Sequence, residues 1–251
     1  MVASVLMRPT YSALVSSDDP ISRTDQVRFQ IERDFAFNTG LYSKRDLHRI
    51  VQEALNRANP MHEGITIEES NLLTRQVVQV AQCYKIDPVV FTSLIWRESN
   101  FKPVARSFRG AVGLTQMTRI GIHEVLDRLN PHSFRRLDHL RALVKNCNPE
   151  FAAQVPDQIT EKNISAWKRL VAKSPATGLV MGAILLKLNL ALSSTHGAKI
   201  RVYQVALERY NGDPEVKAKF ALDILKRAQK MMPLPEIVSY DSRFLAMIQS
   251  P

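Results

Sequence analysis

No apolar run in the sequence is long enough to predict a membrane span. The best candidate lies between Lys173 and Lys187, thirteen residues that include Pro175 and Gly178. A spanning helix needs about 18 apolar residues or more. A signal-peptide pattern is also missing, because no basic residue precedes the short apolar run that follows Met1. We expect either a processed or trimmed form of an exported protein, or export by another route.

Patterns that would bind a metal or a phosphate are missing too. The pairs His62-Glu63 and His123-Glu124 begin like the zinc-protease helix motif, but neither is followed by a second histidine at the required fourth position. Residues 110–113 read GAVG and lack the Lys-Ser/Thr of a phosphate-binding loop. We therefore predict no metal and no cofactor.

Cysteine is scarce, with only Cys83 and Cys147. Cys83 lies in a segment of helical pattern, where a buried thiol is the simpler interpretation. A bridge to Cys147 stays open as the alternative, and it would pin the region around Cys147 to the core in an oxidising compartment.

Alternating strand patterns are nearly absent, and apolar residues recur at helical spacing along most of the chain, so the predicted class is all-α. We expect a mobile segment over 1–22, an N-terminal helical extension over 23–66 and a C-terminal tail over 233–251. The main domain is predicted over 67–232, with a helical insertion at about 127–175. Predicted helices cover 23–37, 43–59, 67–84, 88–98, 118–129, 133–145, 164–172, 176–192, 199–210 and 214–231.

Positive charge exceeds negative charge by 10, with 34 Lys and Arg against 24 Asp and Glu. Between Arg97 and Lys145, ten basic residues stand against four acids. Such a balance favours a polyanionic partner. Cell-wall polymers and nucleic acid fit it equally well on charge alone, and a solvated helix face is the simplest alternative.

Glu98 is the strongest candidate for a catalytic group. It ends a predicted helix that begins at Asp87 and Pro88, an acceptor side chain followed by a residue that suits the first helical position. Leu94 and Ile95 precede it by four and three residues, so they share its helix face and would partly desolvate the carboxyl. Desolvation raises the pKa, as a general acid in glycosidic-bond cleavage requires. The alternative is a helix-terminal surface glutamate.

Three ordered blocks resemble the soluble lytic transglycosylases, a lysozyme-like family that cuts peptidoglycan. They are ESNFKP at 98–103 with Ser107, GAVGLTQ at 110–116, and ALERYNG at 206–212, and the resemblance extends over about 70–231. The chain departs from the family at Thr115, where Met is usual, at Thr118, and at Gly212-Asp213, where Ala-Gly is usual. These departures bear on the expected shape of the sugar subsites.

The resemblance implies a lysozyme-like fold and a lytic transglycosylase that acts on peptidoglycan glycan strands in the periplasm or cell envelope. Glu98 would be the single acid and base, and the product would carry a 1,6-anhydro-N-acetylmuramic acid end. Ser107 and Gln116 would contact substrate, Tyr210 would lie beside the acid, and Asn211 would hold the turn after Tyr210. No nucleic acid is expected as a partner, and the sequence identifies no protein partner.

Two alternatives stay open. A muramidase of the same fold would use water as the nucleophile, and a wall-binding module would have no catalytic role. The insertion at 127–175 is expected to lie beside the cleft, with Arg135, Arg136 and Arg141 meeting acidic groups of the wall.

Overall fold

A computed structural model describes residues 42–193 and 199–232. This part of the chain is helical, with single antiparallel bridges but no strand, which confirms the all-α prediction. Its helices are α1 (Lys44–Ala58), α2 (Ile67–Cys83), α3 (Pro88–Ser99), α4 (Arg119–Leu129), α5 (Asp138–Cys147), α6 (Pro149–Ala153), α7 (Glu161–Lys173), α8 (Pro175–Ser193), α9 (Lys199–Asn211) and α10 (Lys217–Met231). The predicted helix at 23–37, the predicted mobile segment 1–22 and the tail 233–251 lie outside the described residues.

Side-chain caps fix the start of most of these helices. Ser43, Asp87, Thr118 and Thr160 each accept a hydrogen bond from a backbone N–H of the first turn of α1, α3, α4 and α7. Thr66 forms a full capping box at the start of α2. Each cap satisfies an N–H group that has no partner within its helix, and the starts predicted at 43 and 88 agree with the structure.

Helix α8 is the centre of the core. Its residues from Gly178 to Ala191 are all buried, and it packs against α2, α4, α7 and α9. The helix is long and apolar enough to cross a membrane by length and composition, but 78% of its apolar window is buried inside the fold. The sequence estimate of a thirteen-residue run was therefore too short, because Lys187 is itself buried and the helix continues past it.

Helix α1 belongs to the same core as the rest of the described chain. Its buried face packs on α2 and α3, and its residues Leu47, Val51 and Leu55 join the hydrophobic cluster that also contains α8. Ion pairing between Lys102 and Glu63 ties the segment after α1 to the segment after α3.

The segment 127–175 folds as turns and three helices. The helix predicted to start at Ser133 begins only at Asp138, because the preceding turn is held by side chains. Ser133 donates a 2.6 Å hydrogen bond to Asp127, and Arg135 pairs with Asp127 at 3.2 Å. The stretch 148–160, for which no helix is predicted, contains the short helix α6, which Asn148 caps.

The two cysteines form a disulfide, so the bridge that the sequence left open is present and the buried free thiol is not. It joins the last residue of α2, Cys83, to the last residue of α5, Cys147, across a sequence separation of 64 residues. The bridge anchors the segment 127–175 to the core.

Candidate functional site

Glu98 lies in the last turn of helix α3, as the sequence predicts. Asp87 caps the helix by accepting the N–H groups of Val89 and Val90 at 2.9 and 3.2 Å. Leu94 and Ile95, one turn before Glu98, have no exposed surface. The helix stops because Asn100 and Phe101 both adopt positive φ, 50° and 57°. This break turns the chain into the loop that follows and leaves Glu98 at the helix end.

The electrostatic setting of Glu98 favours the protonated carboxyl. Burial raises the pKa of Glu98 to about 8, and the neighbouring Arg97 opposes this shift only in part. Among the described residues, no second carboxylate contributes to this pKa and no hydrogen bond stabilises the ionised form. The side chain nevertheless keeps partial access to solvent. An accessible carboxylic acid that stays protonated near neutral pH can donate a proton to a bound ligand.

The loop 102–117 is built from backbone hydrogen bonds and left-handed residues. Single antiparallel bridges join Arg106 to Val112 and Val112 to Met117. Gly113 has φ 77°, and a Cβ there would lie 3.2 Å from the carbonyl oxygen of Val171 in α7. Only glycine meets both requirements without strain. Helix α7 of the segment 127–175 therefore packs directly against this loop.

Two predicted contact residues help to close this loop. The Ser107 hydroxyl accepts the N–H of Ala111 at 3.0 Å. Gln116, with φ 46°, donates from its NH2 group to the carbonyl oxygens of Ala105 and Gly113 at 3.2 and 2.9 Å. The Ser107 hydroxyl proton and the Gln116 carbonyl oxygen are not used in these bonds.

Tyr210 connects the loop to the acid. Its hydroxyl donates to the carbonyl oxygen of Thr115 at 2.9 Å and lies 3.7 Å from the sulfur of Met117. Burial first, and then the charge of Glu98, raise the pKa of Tyr210, whereas its hydrogen bond to Thr115 acts in the opposite direction. The structure thus brings Tyr210 close to Glu98, with the phenolic proton directed to the loop backbone.

The turn after Tyr210 is held as the sequence suggests. Asn211 accepts the N–H of Asp213 at 3.2 Å through its side-chain oxygen. Gly212 has φ 73° and donates to the carbonyl oxygen of Glu208 at 3.1 Å, which is a left-handed end of helix α9. Gly212 therefore has a backbone role.

The departures at Thr115 and Thr118 are also structural. Thr115 is buried, its hydroxyl donates to the carbonyl oxygen of Gly178 at 2.8 Å, and its side chain lies against Gly182. A Cβ at Gly182 would come within 2.5 Å of Thr115, so the two positions fit each other only because one is glycine. Thr118 caps α4. The Thr115 side chain therefore points into the core.

Residues 76–146 match the family model described as the transglycosylase SLT domain. The chain contains an SLT domain. No curated protein sequence and no solved structure matches the chain. The SLT match covers Glu98, Ser107 and Gln116 but ends before Tyr210 and Asn211. With the observed helices, it identifies a lysozyme-like all-α fold and a transglycosylase domain of the kind that acts on peptidoglycan.

Sequence reasoning missed a second connection across the SLT site. Arg109, near the tip of the loop 102–117, makes a 2.7 Å ion pair with Asp213 in the turn after Tyr210. This pair joins residues 104 positions apart. The only available signal was that the two opposite charges directly adjoin two of the three resembling blocks. It also accounts for Asp213, another departure from the family pattern.

A metal centre and a separate surface pocket are the two other kinds of site to consider. Within 42–193 and 199–232, no three His, Cys, Asp or Glu side chains are placed to hold a metal ion. A surface pocket lies between α1, α3 and the end of α10, lined in part by Arg49, Glu53 and Trp96. Trp96 and Glu98 are two residues apart on α3 and point to opposite sides of it, so this pocket is separate from the SLT site.

Proposed function

We propose that this protein is a lytic transglycosylase that cleaves the β-1,4 bond between N-acetylmuramic acid and N-acetylglucosamine without consuming water. The observation that carries the proposal is the Glu98 carboxyl, partly accessible and with a pKa raised to about 8 by burial. An acid with this pKa is largely protonated at neutral pH and can protonate the departing oxygen.

In the first step Glu98 donates its proton to the glycosidic oxygen, and the bond to the anomeric carbon of muramic acid breaks. The Glu98 carboxylate then takes the proton from the 6-hydroxyl of the same sugar, whose oxygen attacks the anomeric carbon. A 1,6-anhydro ring forms and Glu98 is protonated again, so the proton balance closes.

A single carboxyl is sufficient for this route because the nucleophile is part of the substrate. Glycosidases that use water or a covalent intermediate generally need a second carboxylate about 5 to 9.5 Å from the acid. An intramolecular hydroxyl can have an effective molarity of about 10⁵ M or more.

The surrounding residues have supporting roles in this proposal. Tyr210 is close enough to the acid for the charge of Glu98 to raise its pKa, and it braces the loop through Thr115. The free groups of Ser107 and Gln116 are suitable for hydrogen bonds to sugar. Asn211 holds the turn that positions Tyr210. The Cys83–Cys147 disulfide fits an oxidising compartment such as the periplasm.

Mass spectrometry of purified peptidoglycan digested by the full chain tests the proposal. Lytic cleavage gives muropeptides with anhydro-muramic acid ends, which are lighter by one water than hydrolytic products. Reducing muramic acid ends would instead identify a muramidase, and binding to the wall without any release of muropeptides would identify a binding module.

A further inference from the structure

Phe108 is the most exposed large apolar side chain in the described chain, with 95% of its surface accessible. It lies at the tip of the loop 102–117, next to Ser107. The backbone around it is fixed, because Ser107 N–H donates to Ala111 at 3.0 Å and Gly110 N–H donates to Ser107 at 2.9 Å. The exposed ring is therefore carried by an ordered turn.

Arg109 contacts the Phe108 ring and also forms an ion pair with Asp213. The guanidinium of Arg109 lies over the Phe108 ring, 5.5 Å from its centroid. The same guanidinium pairs with Asp213 at 2.7 Å, and Asp213 is in turn fixed by Asn211. A continuous set of contacts thus runs from Phe108 to the turn that positions Tyr210.

Exposed apolar residues that occur singly need no explanation, and Phe134 provides a comparison within the same chain. It is 94% exposed and lies in the turn before α5. Among the described residues, no cation or aromatic ring is placed on Phe134. Phe108 differs from it because Arg109 lies over its ring and because it belongs to the loop that carries Ser107 and Gln116.

We infer that the Phe108 ring is a platform on which a sugar ring of the glycan strand stacks, next to the sugar that reacts. The axial C–H groups of a pyranose form an apolar face that packs on an aromatic ring, and the exposed fraction of Phe108 leaves a ring face open for it. Asp213 is a positioning residue in this arrangement because it fixes Arg109, which in turn supports the other face of the ring. The inference rests on the proposed function and deepens it by locating a sugar subsite.

The test compares Phe108→Ala with Phe134→Ala, a matched control of the same residue type and exposure. Binding of each full-length variant to an uncharged N-acetylglucosamine hexamer is measured by calorimetry in a Glu98→Gln background, which excludes cleavage. Phe108→Ala should raise the Kd about three- to tenfold, the range expected for one aromatic contact. Phe134→Ala should leave the Kd unchanged, and Phe108→Trp should keep or improve binding.

Kinetics on purified peptidoglycan separate stacking from chemistry. Phe108→Ala should raise KM with kcat and Tm nearly unchanged, because the ring contacts a sugar that does not react. Asp213→Asn should raise KM less, with a deficit that disappears at high salt, where the wild-type ion pair is itself weakened. A kcat loss without a KM change would overturn the assignment of a stacking platform.

The result for Phe108 can be distinguished from the result for the proposed function. Equal Kd values for Phe108→Ala and Phe134→Ala, with active wild type, would overturn the platform and leave the transglycosylase in place. A higher Kd for Phe108→Ala would support the platform even if wild type releases no anhydro products. That second result would overturn the enzymatic proposal alone.

Discussion

In the part of the chain that the structure describes, the site around Glu98 contains an unpaired carboxyl, whereas several charged side chains of the segment 127–175 form ion pairs. At Glu98 a single carboxyl is partly buried with no ion-pair partner in the described chain, and its pKa rises. In the segment 127–175, Arg135 pairs with Asp127 at 3.2 Å and also with Glu124 at 2.9 Å. An unpaired acid in a protected position costs stability, so its presence points to function, whereas paired surface charges indicate local structure.

The largest expected effect comes from replacing the Glu98 carboxyl by an amide. Glu98→Gln should reduce cleavage of peptidoglycan by about 10²–10⁴-fold or more, because one residue serves as both acid and base. The amide has nearly the same shape, so the variant should fold normally. Anhydro-muropeptide release, followed by mass spectrometry, gives the rate.

Glu124→Gln is the matched control, because Glu124 pairs with arginines of the segment 127–175. It removes contacts to Arg128 and Arg135 at 3.0 and 2.9 Å, so we expect a lower Tm and a cleavage rate within about twofold of wild type. Retained activity in Glu98→Gln, or an equal loss in both variants, would remove the distinction between the two regions.

Several features of the site could be predicted from the sequence because they depend on local rules. The Asp87-Pro88 start and the burial of Leu94 and Ile95 beside Glu98 follow from helix capping and spacing. The Asn211 turn was implied by the family resemblance. The SLT match agrees with the resemblance that the sequence motifs indicated.

Features that depend on contacts between distant residues could not be predicted in the same way. The pairing of Arg109 with Asp213 and the close fit of Thr115 to Gly182 each join residues more than sixty positions apart. The late start of α5 has a related cause, because Arg135 bonds to side chains of α4. Helical periodicity gives no information on such contacts.

The pH dependence of the reaction is the second prediction. The Glu98 carboxyl must be protonated at the start, so kcat/KM should fall about tenfold per pH unit above its pKa of about 8. We expect no acidic limb from a second catalytic carboxylate. A bell-shaped profile with an acidic limb near pH 4 to 5, a property of two-carboxylate enzymes, would contradict the single-residue mechanism.

The same pKa predicts a change in stability with pH. The folded-state pKa of Glu98 is raised above its usual value of 4.5 to about 8, so its contribution to stability is complete below pH 4.5 and is lost as the pH rises to 8. Glu98→Gln does not have this loss. The Tm of Glu98→Gln minus the Tm of wild type, measured by circular dichroism, should therefore be near zero at pH 4 and clearly positive at pH 9.

The third prediction concerns the disulfide that joins the segment 127–175 to helix α2. Removal of a cross-link that spans 64 residues should cost about 4 kcal/mol by the chain-entropy estimate. Cys83→Ser with Cys147→Ser should lower Tm markedly, and a reductant should lower the Tm of wild type but not of the double variant. Below the new Tm, the rate of cleavage should stay close to wild type, because the bridge does not contact Glu98. A double variant as stable as wild type would show that the segment 127–175 is held without the bridge.

Tyr210→Phe should have a smaller effect and act mainly on turnover. The variant keeps the ring but loses the 2.9 Å hydrogen bond to the Thr115 carbonyl oxygen, which costs about 1 kcal/mol of stability. We expect kcat to fall about tenfold with KM unchanged, as for a contact that matters most in the transition state. A large fall in Tm with normal kcat in the remaining folded protein would make Tyr210 a purely structural residue.

The smallest effects are expected from the arginines of the segment 127–175. On sequence alone, Arg135, Arg136 and Arg141 were expected to meet acidic groups of the wall. The structure pairs Arg135 with Glu124 and Asp127, and both Arg136 and Arg141 with Asp138 at 3.5 and 3.2 Å. Their charges are therefore largely compensated before any partner arrives.

Replacing Arg136 and Arg141 together by Gln should change wall binding at physiological salt by less than about twofold, because exposed ion pairs contribute about 0 to 1 kcal/mol and the charge lost at these exposed positions is screened beyond about 8 Å. Arg135→Gln should leave binding unchanged and lower Tm by a few degrees, since it leaves two partly buried carboxylates without their shared partner. Sedimentation with intact peptidoglycan measures the binding. A loss of wall binding in the Arg136 and Arg141 double variant, at unchanged Tm, would restore the segment as an electrostatic contact surface and make the two regions partners in substrate capture.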